Sequence, residues 1–236
     1  MPKDINIGKN AVVCKDIEIR GEIQIGAGTI LHPQCKILAL KGPIIFGQNN
    51  IVEENVTIIN NSQTALTIGN ENVFEVGCYV EGTKIGNRNI IEAKARILGN
   101  TSLGDNCVIG AVCSTKKDEV IPDNTVIFGD HNNRRTQTAS ANQQSSLHTR
   151  HLDYLREVLP KFNHVASDSQ EAVTHSAHST HSRKTGLRRQ SNKSEEPRIK
   201  FVTKFLPEIP SGGRHTFRSI INGYLQLNIN CYRENI

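Results

Sequence analysis

A six-residue spacing of aliphatic side chains runs through the first 130 residues of the chain. One run steps by six from Ile7 through Val13 and Ile19, and a second starts at Ile85. A period of six fits no helix, whereas a short strand followed by a turn gives two same-face residues per repeat. Three such hexads form one coil, and coils stack about 4.8 Å apart, the spacing of paired strands. The sequence therefore predicts an all-β solenoid, a parallel β-helix of about seven coils over residues 5–132.

In this register the aliphatic positions fill the interior in vertical columns, such as the column of Ile85, Leu103 and Ile121. Two residues before each of them lies a second inward position, which is usually small. Four of the six cysteines occupy it: Cys35, Cys78, Cys107 and Cys113. A cysteine at such a position behaves as a small buried hydrophobe. We therefore expect structural free thiols, which suit a reducing cytoplasm.

Interruptions of the six-residue spacing are expected at the corners, where a loop can leave a solenoid without breaking the stack. Residues 41–43 and 60–65 are interpreted as such loops. A longer echo of the form Gly-x-x-Asn-apolar-apolar-Glu occurs three times and ends at Glu53, Glu75 and Glu92. These three glutamates are predicted to form an outward, solvated column.

The six-residue spacing ends near residue 130. Residues 133–146 are polar and are interpreted as a linker, whereas leucines at helical spacing predict an α-helix over 147–160, docked on the solenoid and ended by Pro160. Residues 161–236 are predicted to be a basic, mostly disordered tail. The first 132 residues carry 12 Lys and Arg against 15 Asp and Glu, whereas the remainder carries 16 against 8.

Composition and motifs argue against several classes of protein. No secretory signal and no run of about 18 apolar residues is present, so no direct membrane insertion is expected. The basic tail lacks a nucleic-acid-binding motif with interleaved aromatic residues, so we expect no nucleic acid partner. His175, His178 and His181 lie in a flexible polar tract and do not predict a metal site. Ser191 follows two arginines and is a candidate phosphorylation site.

Hexad solenoids include acyltransferases, which need a histidine base, and gamma-type carbonic anhydrases, which hold zinc with three histidines. The repeat region contains only His32 and His131, at opposite ends. His32 is predicted to be a surface residue at a corner. We therefore expect no catalytic residue, no metal site and no cofactor. The protein is then expected to function through the surfaces of the solenoid. The alternative is a gamma-carbonic-anhydrase-like or acyltransferase-like homotrimer.

Several longer strings resemble the dynactin subunit 6 family. They include residues 72–79, 108–111, 120–129 and 134–138, with further similarity near the start in residues 11–14, 18–21 and 29–33. The resemblance extends over residues 5–164, whereas residues 165–236 depart from the short tail of that family.

The resemblance implies a left-handed β-helix without enzymatic activity, in the cytoplasm and on the cytoskeleton. It implies a heterodimer with dynactin subunit 5 at the pointed end of the dynactin filament. There the pair would join the pointed-end actin-related protein and dynactin subunit 4, and act indirectly with dynein in microtubule transport and cargo binding.

Candidate interface residues follow from the hexad register. Phe74 enlarges an interior column, Glu75 follows it, and Tyr79 lies at an outward position. Arg134 and Arg135 follow the last coil, where they could bond the final carbonyls or contact an acidic partner.

Overall fold

The computed structural model describes residues 5–137, 141–163 and 165, and for 141–145 only the backbone. In this part of the chain, short strands precede a single helix, α1 (Ala141–Phe162). The strands are, in chain order, β1 (Ile5–Ile7), β2 (Val12–Val13), β3 (Glu18–Arg20), β4 (Ile23–Ile25), β5 (Ile30–Leu31), β6 (Lys36–Ala39), β7 (Ile44–Phe46), β8 (Ile51–Val52), β9 (Thr57–Asn60), β10 (Leu66–Ile68), β11 (Val73–Phe74), β12 (Tyr79–Ile85), β13 (Ile90–Ile91), β14 (Arg96–Leu103), β15 (Val108–Ile109), β16 (Val120–Ile121), β17 (Thr125–Phe128) and β18 (Asn133–Thr136).

The strands stack in parallel on three faces. Face 1 holds β1, β4, β7, β10 and β16, with the second halves of β12 and β14. Face 2 holds β2, β5, β8, β11, β13, β15 and β17. Face 3 holds β3, β6 and β9, with the first halves of β12 and β14. The fold is therefore a parallel β-solenoid of seven coils, as predicted, and its left-handed sense stays an expectation from the resemblance.

The interior is built from the aliphatic columns that the hexads predict. Ile85 pairs with Leu103 and Leu103 with Ile121, and none of the three is more than 3% exposed. Each such side chain contributes roughly 1.5–3 kcal/mol through its removal from water. Asparagine occupies several corners in the left-handed conformation, for example Asn49 (φ 55°) and Asn124 (φ 59°). Asparagine tolerates this conformation better than most residues.

The boundaries after the last coil differ from the prediction. Asn133–Thr136, expected in a linker, forms β18 and pairs antiparallel with β17. The helix begins at Ala141 rather than 147, because nothing in the polar segment breaks a helix, and it continues past Pro160 to Phe162. Pro160 removes only one backbone bond near the helix end, where its loss is tolerated. Most of the predicted tail, with His175, His178, His181 and Ser191, lies outside the described residues.

Candidate functional site: the faces of the solenoid

The outward residues of face 1 are largely polar. The strand register aligns them in one column, in which Ile45 stands between Gln24 and Thr67 and Val120 comes last. The polar members are Asn6, Gln24, Thr67, Lys84 and Ser102. Val120 is 80% exposed at the last position of this column. A polar column of this kind is what a solvated sheet face presents.

The outward residues of face 2 are apolar, and α1 covers those of the first coils. Leu152, Leu155 and Leu159 of the helix pack in one cluster with residues from three successive coils of the face, namely Ile30, Ile51 and Val73. Further along the face, Ile90, Val108 and Val126 form a second buried cluster with Phe128 beside them. The helix thus buries an apolar column that would otherwise face water.

Two polar anchors fix α1 in register on face 2. The Nε2 atom of His148 lies 2.7 Å from the carbonyl oxygen of Asn49, which only accepts, so Nε2 carries the proton. Arg156 donates from Nη2 to the carbonyl oxygen of Gly28 at 3.1 Å and to Oδ1 of Asn49 at 3.0 Å. An arginine that bonds corner carbonyls specifies where the helix lies, which leucine packing alone does not.

The prediction that His32 is a surface residue is wrong. The side chain of His32 lies near His151 of α1, and the residue is only 6% exposed. Its Nδ1 lies 2.8 Å from Oε1 of Glu54, and this hydrogen bond holds the pKa of the Glu54 carboxyl below its ordinary value. Burial, together with the nearby His32 and His148, lowers the pKa of His151 to about 4. The histidines here form a buried group between helix and solenoid.

The three echo glutamates do not form a solvated column, contrary to prediction. Each side chain folds back onto the next coil and accepts a backbone N–H: Glu53 from Val76 at 3.1 Å, Glu75 from Ala93 at 3.0 Å and Glu92 from Ala111 at 2.8 Å. Burial raises the pKa of all three carboxyls, and for Glu75, between the other two charges, to about 7.

Sequence reasoning missed a buried ladder of asparagines. Asn50, Asn72 and Asn89 are fully buried on three successive coils. Oδ1 of Asn50 accepts both the backbone N–H and the Nδ2 of Asn72, each at 3.0 Å, and Oδ1 of Asn72 accepts the N–H of Asn89 at 2.9 Å. The recurring Asn of the echo is the sequence signal for this ladder, because it occupies the same place in each repeat.

The predicted interface residues lie in separate parts of the solenoid. Phe74 is fully buried in the interior column, as its register predicted. Glu75 is the middle one of the three glutamates that bond the next coil, which we call the carboxylate column. Tyr79 lies outward on face 3, where its hydroxyl donates to Oε2 of Glu81 at 3.0 Å. On β18, Arg134 donates to the carbonyl of Asn132 and pairs with Glu119 at 2.8 Å, whereas Arg135 lies opposite Val126.

The cysteines of the solenoid are buried free thiols, as predicted. Burial raises the pKa of Cys35 to about 12 and that of Cys107 to about 11. A thiol with such a pKa contributes almost no thiolate at neutral pH, so neither side chain is an effective nucleophile.

The acidic, histidine and cysteine side chains within residues 5–137, 141–163 and 165 form no group of three or more suited to hold a metal ion. Among the described residues, no helix is both long and apolar enough to cross a membrane.

A match to a family model agrees with the repeat architecture. A family model described as bacterial transferase hexapeptide (six repeats) matches residues 82–113. Among solved structures, a UDP-N-acetylglucosamine acyltransferase from Bacteroides fragilis is 17% identical with a TM-score of 0.42, over 64% of this chain and 80% of that one. A likeness at this level carries no argument about this chain.

Curated relatives are considerably more similar. Dynactin subunit 6 of Nematostella vectensis is 44% identical over 180 residues, which cover 72% of this chain and 96% of the relative. The protein of the same name from Dictyostelium discoideum is 40% identical, over 66% of this chain and 84% of the relative. The one from Caenorhabditis elegans is 32% identical, over 73% and 94%.

Proposed function

Because the chain belongs to the dynactin subunit 6 family, we propose that it is a non-catalytic structural subunit at the pointed end of dynactin. In this role it supports dynein-driven transport along microtubules and the binding of cargo and adaptors, in the cytoplasm and on the cytoskeleton. The observation that carries the proposal is its similarity to relatives of that name over nearly their full length.

The chemistry of the described residues is in keeping with a scaffold. The Cys35 and Cys107 thiols have raised pKa values, and His32, the histidine nearest the start of the solenoid, bonds Glu54 beneath α1. Backbone ladders and buried asparagines instead make a stiff body whose surfaces keep their shape. A stiff body with distinct faces suits assembly with several partners at once.

The proposed partners are dynactin subunit 5, as a heterodimer, together with the pointed-end actin-related protein and dynactin subunit 4, and indirectly dynein. Tyr79 is available for direct contact on face 3, and Arg134 and Arg135 lie on β18 at the last coil. Glu75 is partly exposed in the carboxylate column. Phe74 would act only from inside, by shaping the coil that carries Glu75.

The test is size-exclusion chromatography with light scattering on the full chain, alone and mixed with dynactin subunit 5, with metal analysis of the peak. A one-to-one complex without stoichiometric zinc is expected. A homotrimer that ignores subunit 5, above all one that carries zinc, would favour a carbonic-anhydrase-like or acyltransferase-like enzyme instead.

The contribution of the last strand is tested separately. The double variant Arg134→Glu, Arg135→Glu is compared with Lys41→Glu, Lys84→Glu, which makes the same charge change at a corner loop and on face 1. If the first variant binds subunit 5 as well as the second, β18 is not part of the interface.

The proposed phosphorylation of Ser191 is tested by intact mass before and after phosphatase treatment, and an unchanged mass would dispose of it.

A further inference from the structure

The two ends of the solenoid are not equally closed. At the last coil, β18 pairs with β17, and the interior residues Ile121 and Ile127 are at most 3% exposed. At the first coil, Ile7 is 36% exposed, whereas Ile25, its partner on the next coil, is only 2% exposed. The first coil therefore leaves an aliphatic side chain of the interior column in contact with solvent.

Of the three strand edges of the first coil, that of β1 is open and uncharged. The chain after α1 meets the edge of β2, because Cys14 and Val165 form an antiparallel bridge. On β3, Glu18 and Arg20 form a salt bridge. Charged side chains on an edge strand discourage its pairing with another strand. β1 carries no charged side chain and, among the described residues, pairs with β4 alone.

The backbone of β1 leaves a hydrogen-bond donor at this edge. Gly8 donates its N–H to the carbonyl oxygen of Ile25 at 2.7 Å, toward β4. Because successive N–H groups of a strand point to opposite sides, the N–H of Ile7 points away from β4 and toward the open edge. A further strand at this edge would give that N–H an acceptor and would cover the Ile7 side chain.

A segment near the end of the sequence has the same alternation as this face. β1 has the sequence Ile-Asn-Ile and β4 has Ile-Gln-Ile, with the aliphatic side chains inward and the amides outward. Residues 225–230 have the sequence Leu-Gln-Leu-Asn-Ile-Asn, and residues 224–232 carry no charge. This segment lies outside the described residues. Its alternation of aliphatic and polar residues is typical of a strand with one buried side.

The length of the chain permits this segment to reach β1. Val165 lies against β2, and β2 begins five residues after Ile7, which is at most about 18 Å of chain. Residues 166–223 connect Val165 to the segment, and their extended length is many times that distance. The tether also favours the segment of the same chain over that of a second copy, since it makes the pairing intramolecular.

We propose that residues 224–232 of this chain pair with the open edge of β1 and close the first coil at face 1. The aliphatic side chains of the segment extend the interior column of Ile5 and Ile7, and its Gln and Asn side chains extend the polar column that begins at Asn6. The pairing removes an open strand edge, which otherwise invites association with other chains. It goes beyond the proposed function and does not depend on it, because it concerns the isolated chain.

Hydrogen exchange of the purified full chain, measured at single amides, tests the pairing. The amide of Ile7 is expected to exchange at least tenfold more slowly than its intrinsic rate, and Leu227→Asp should abolish this protection. Asn228→Asp is the matched control, because it adds the same charge on the polar side of the segment, and it should change the rate by less than twofold. The amides of β8 and β11 should keep their protection in both variants.

Three results of this measurement would overturn the inference. The first is an unprotected Ile7 amide in the unaltered chain, and the second is an equal effect of the two variants. The third is a loss of protection in β8 and β11 together with Ile7, because the segment would then stabilise the whole solenoid rather than the edge of β1.

Photo-crosslinking identifies the occupant of the edge. A photo-crosslinking amino acid replaces Asn6 on β1 or, as a control, Thr67 in the middle of the same polar column, in a mixture of isotope-labelled and unlabelled chains. Position 6 alone is expected to give an adduct with residues 224–232, within one chain. An adduct between labelled and unlabelled chains would assign the edge to a second copy and overturn the inference. An adduct with another part of the chain, no adduct, or replacement of the segment by added dynactin subunit 5 would overturn it as well.

Discussion

The carboxylate of Glu75 accepts a hydrogen bond from the backbone N–H of Ala93, 3.0 Å away on the next coil. Glu53 and Glu92 bond in the same way on either side, so three carboxylates stack along one corner of the solenoid. Burial raises the pKa of Glu75 from its ordinary 4.5 to about 7, and the charges of its two neighbours add to the effect. The native state therefore takes up a proton here at a pH where the unfolded chain has already lost it.

This proton uptake predicts that the folded protein is more stable in mild acid than at pH 8. Between about pH 7 and 4.5 the folded state binds more protons than the unfolded state at Glu75, so stability rises as pH falls. Glu75→Gln keeps the acceptor for Ala93 without the charge, and it should stabilise the protein at pH 8 by about 1 to 2 kcal/mol and have little effect at pH 5. Urea denaturation of both proteins at several pH values measures the difference.

The matched control is Glu22→Gln at an exposed corner, for which we expect no gain at pH 8. If the stability difference between Glu75→Gln and the unaltered chain is the same at pH 5 and pH 8, the raised pKa of Glu75 is wrong. A variant that is less stable at pH 8 would indicate instead that the ionised carboxylate is the favoured form.

The buried asparagine ladder predicts a large effect of a small substitution. Asn72→Ala leaves the buried N–H of Asn89 without its acceptor and removes one of the two hydrogen bonds that Oδ1 of Asn50 accepts, whereas the backbone N–H of residue 72 keeps the other. An unsatisfied buried polar group costs roughly 1–3 kcal/mol and a lost hydrogen bond about 1 kcal/mol, so we expect a loss of about 2 to 4 kcal/mol in the free energy of unfolding. Asn70→Ala is the control, because its Oδ1 also accepts a backbone N–H but at an exposed corner. Equal losses of stability in the two variants would show that burial does not strengthen the contribution of the ladder.

One glycine is required by the closeness of the next coil. A Cβ atom on Gly69 would lie 2.6 Å from the carbonyl oxygen of Gly86 and 2.6 Å from Oδ1 of Asn87. Gly69→Ala should therefore destabilise the solenoid by about 1 to 3 kcal/mol through overpacking. Gly99 has only the Glu81 side chain within reach, at 3.9 Å, so Gly99→Ala should change stability by less than about 0.5 kcal/mol. Thermal unfolding measures both variants, and an equal loss of stability would refute the closeness of the next coil as the reason for Gly69.

The interior of this fold could be predicted from the sequence because the hexad fixes which side chains point inward. Ile85, Leu103 and Ile121 lie in one column for that reason, and a one-residue slip would turn each of them outward. The corners carry weaker information. The echo marks Asn72 and Glu75 as repeated positions, but whether a corner side chain faces water or folds onto the next coil depends on the local turn.

Contacts distant in sequence could not be predicted in the same way. His32 is buried because α1, more than a hundred residues later, lies over its coil, and the hexad register contains nothing about where that helix docks. The same holds for the faces. Leu38 and Ile51 are both aliphatic residues at outward positions, and only the docked helix explains why Ile51 is fully buried whereas Leu38 is partly exposed.

The docking of α1 should weaken in acid, opposite in sign to the effect at Glu75. His148 and His151 lie against the solenoid, and burial lowers the pKa of both, that of His151 to about 4. The charged or titratable groups around them include His32, Arg156 and Glu71. The folded state binds fewer protons than a released helix, so the stabilisation is complete above about pH 6.5 and is lost as pH falls toward 4.

Hydrogen exchange of α1, corrected for intrinsic rates, tests this expectation. Protection of residues 152–159 should fall at least tenfold between pH 7.5 and pH 5, whereas the amides of β8 and β11 keep theirs. His151→Gln should remove most of the pH dependence, and His131→Gln, at an exposed turn, should leave it unchanged. If protection of α1 is constant over this range, or if both variants behave alike, the histidines do not control the docking of the helix. Loss of protection in β8 and β11 at the same pH would place the proton-sensitive group inside the solenoid rather than beneath α1.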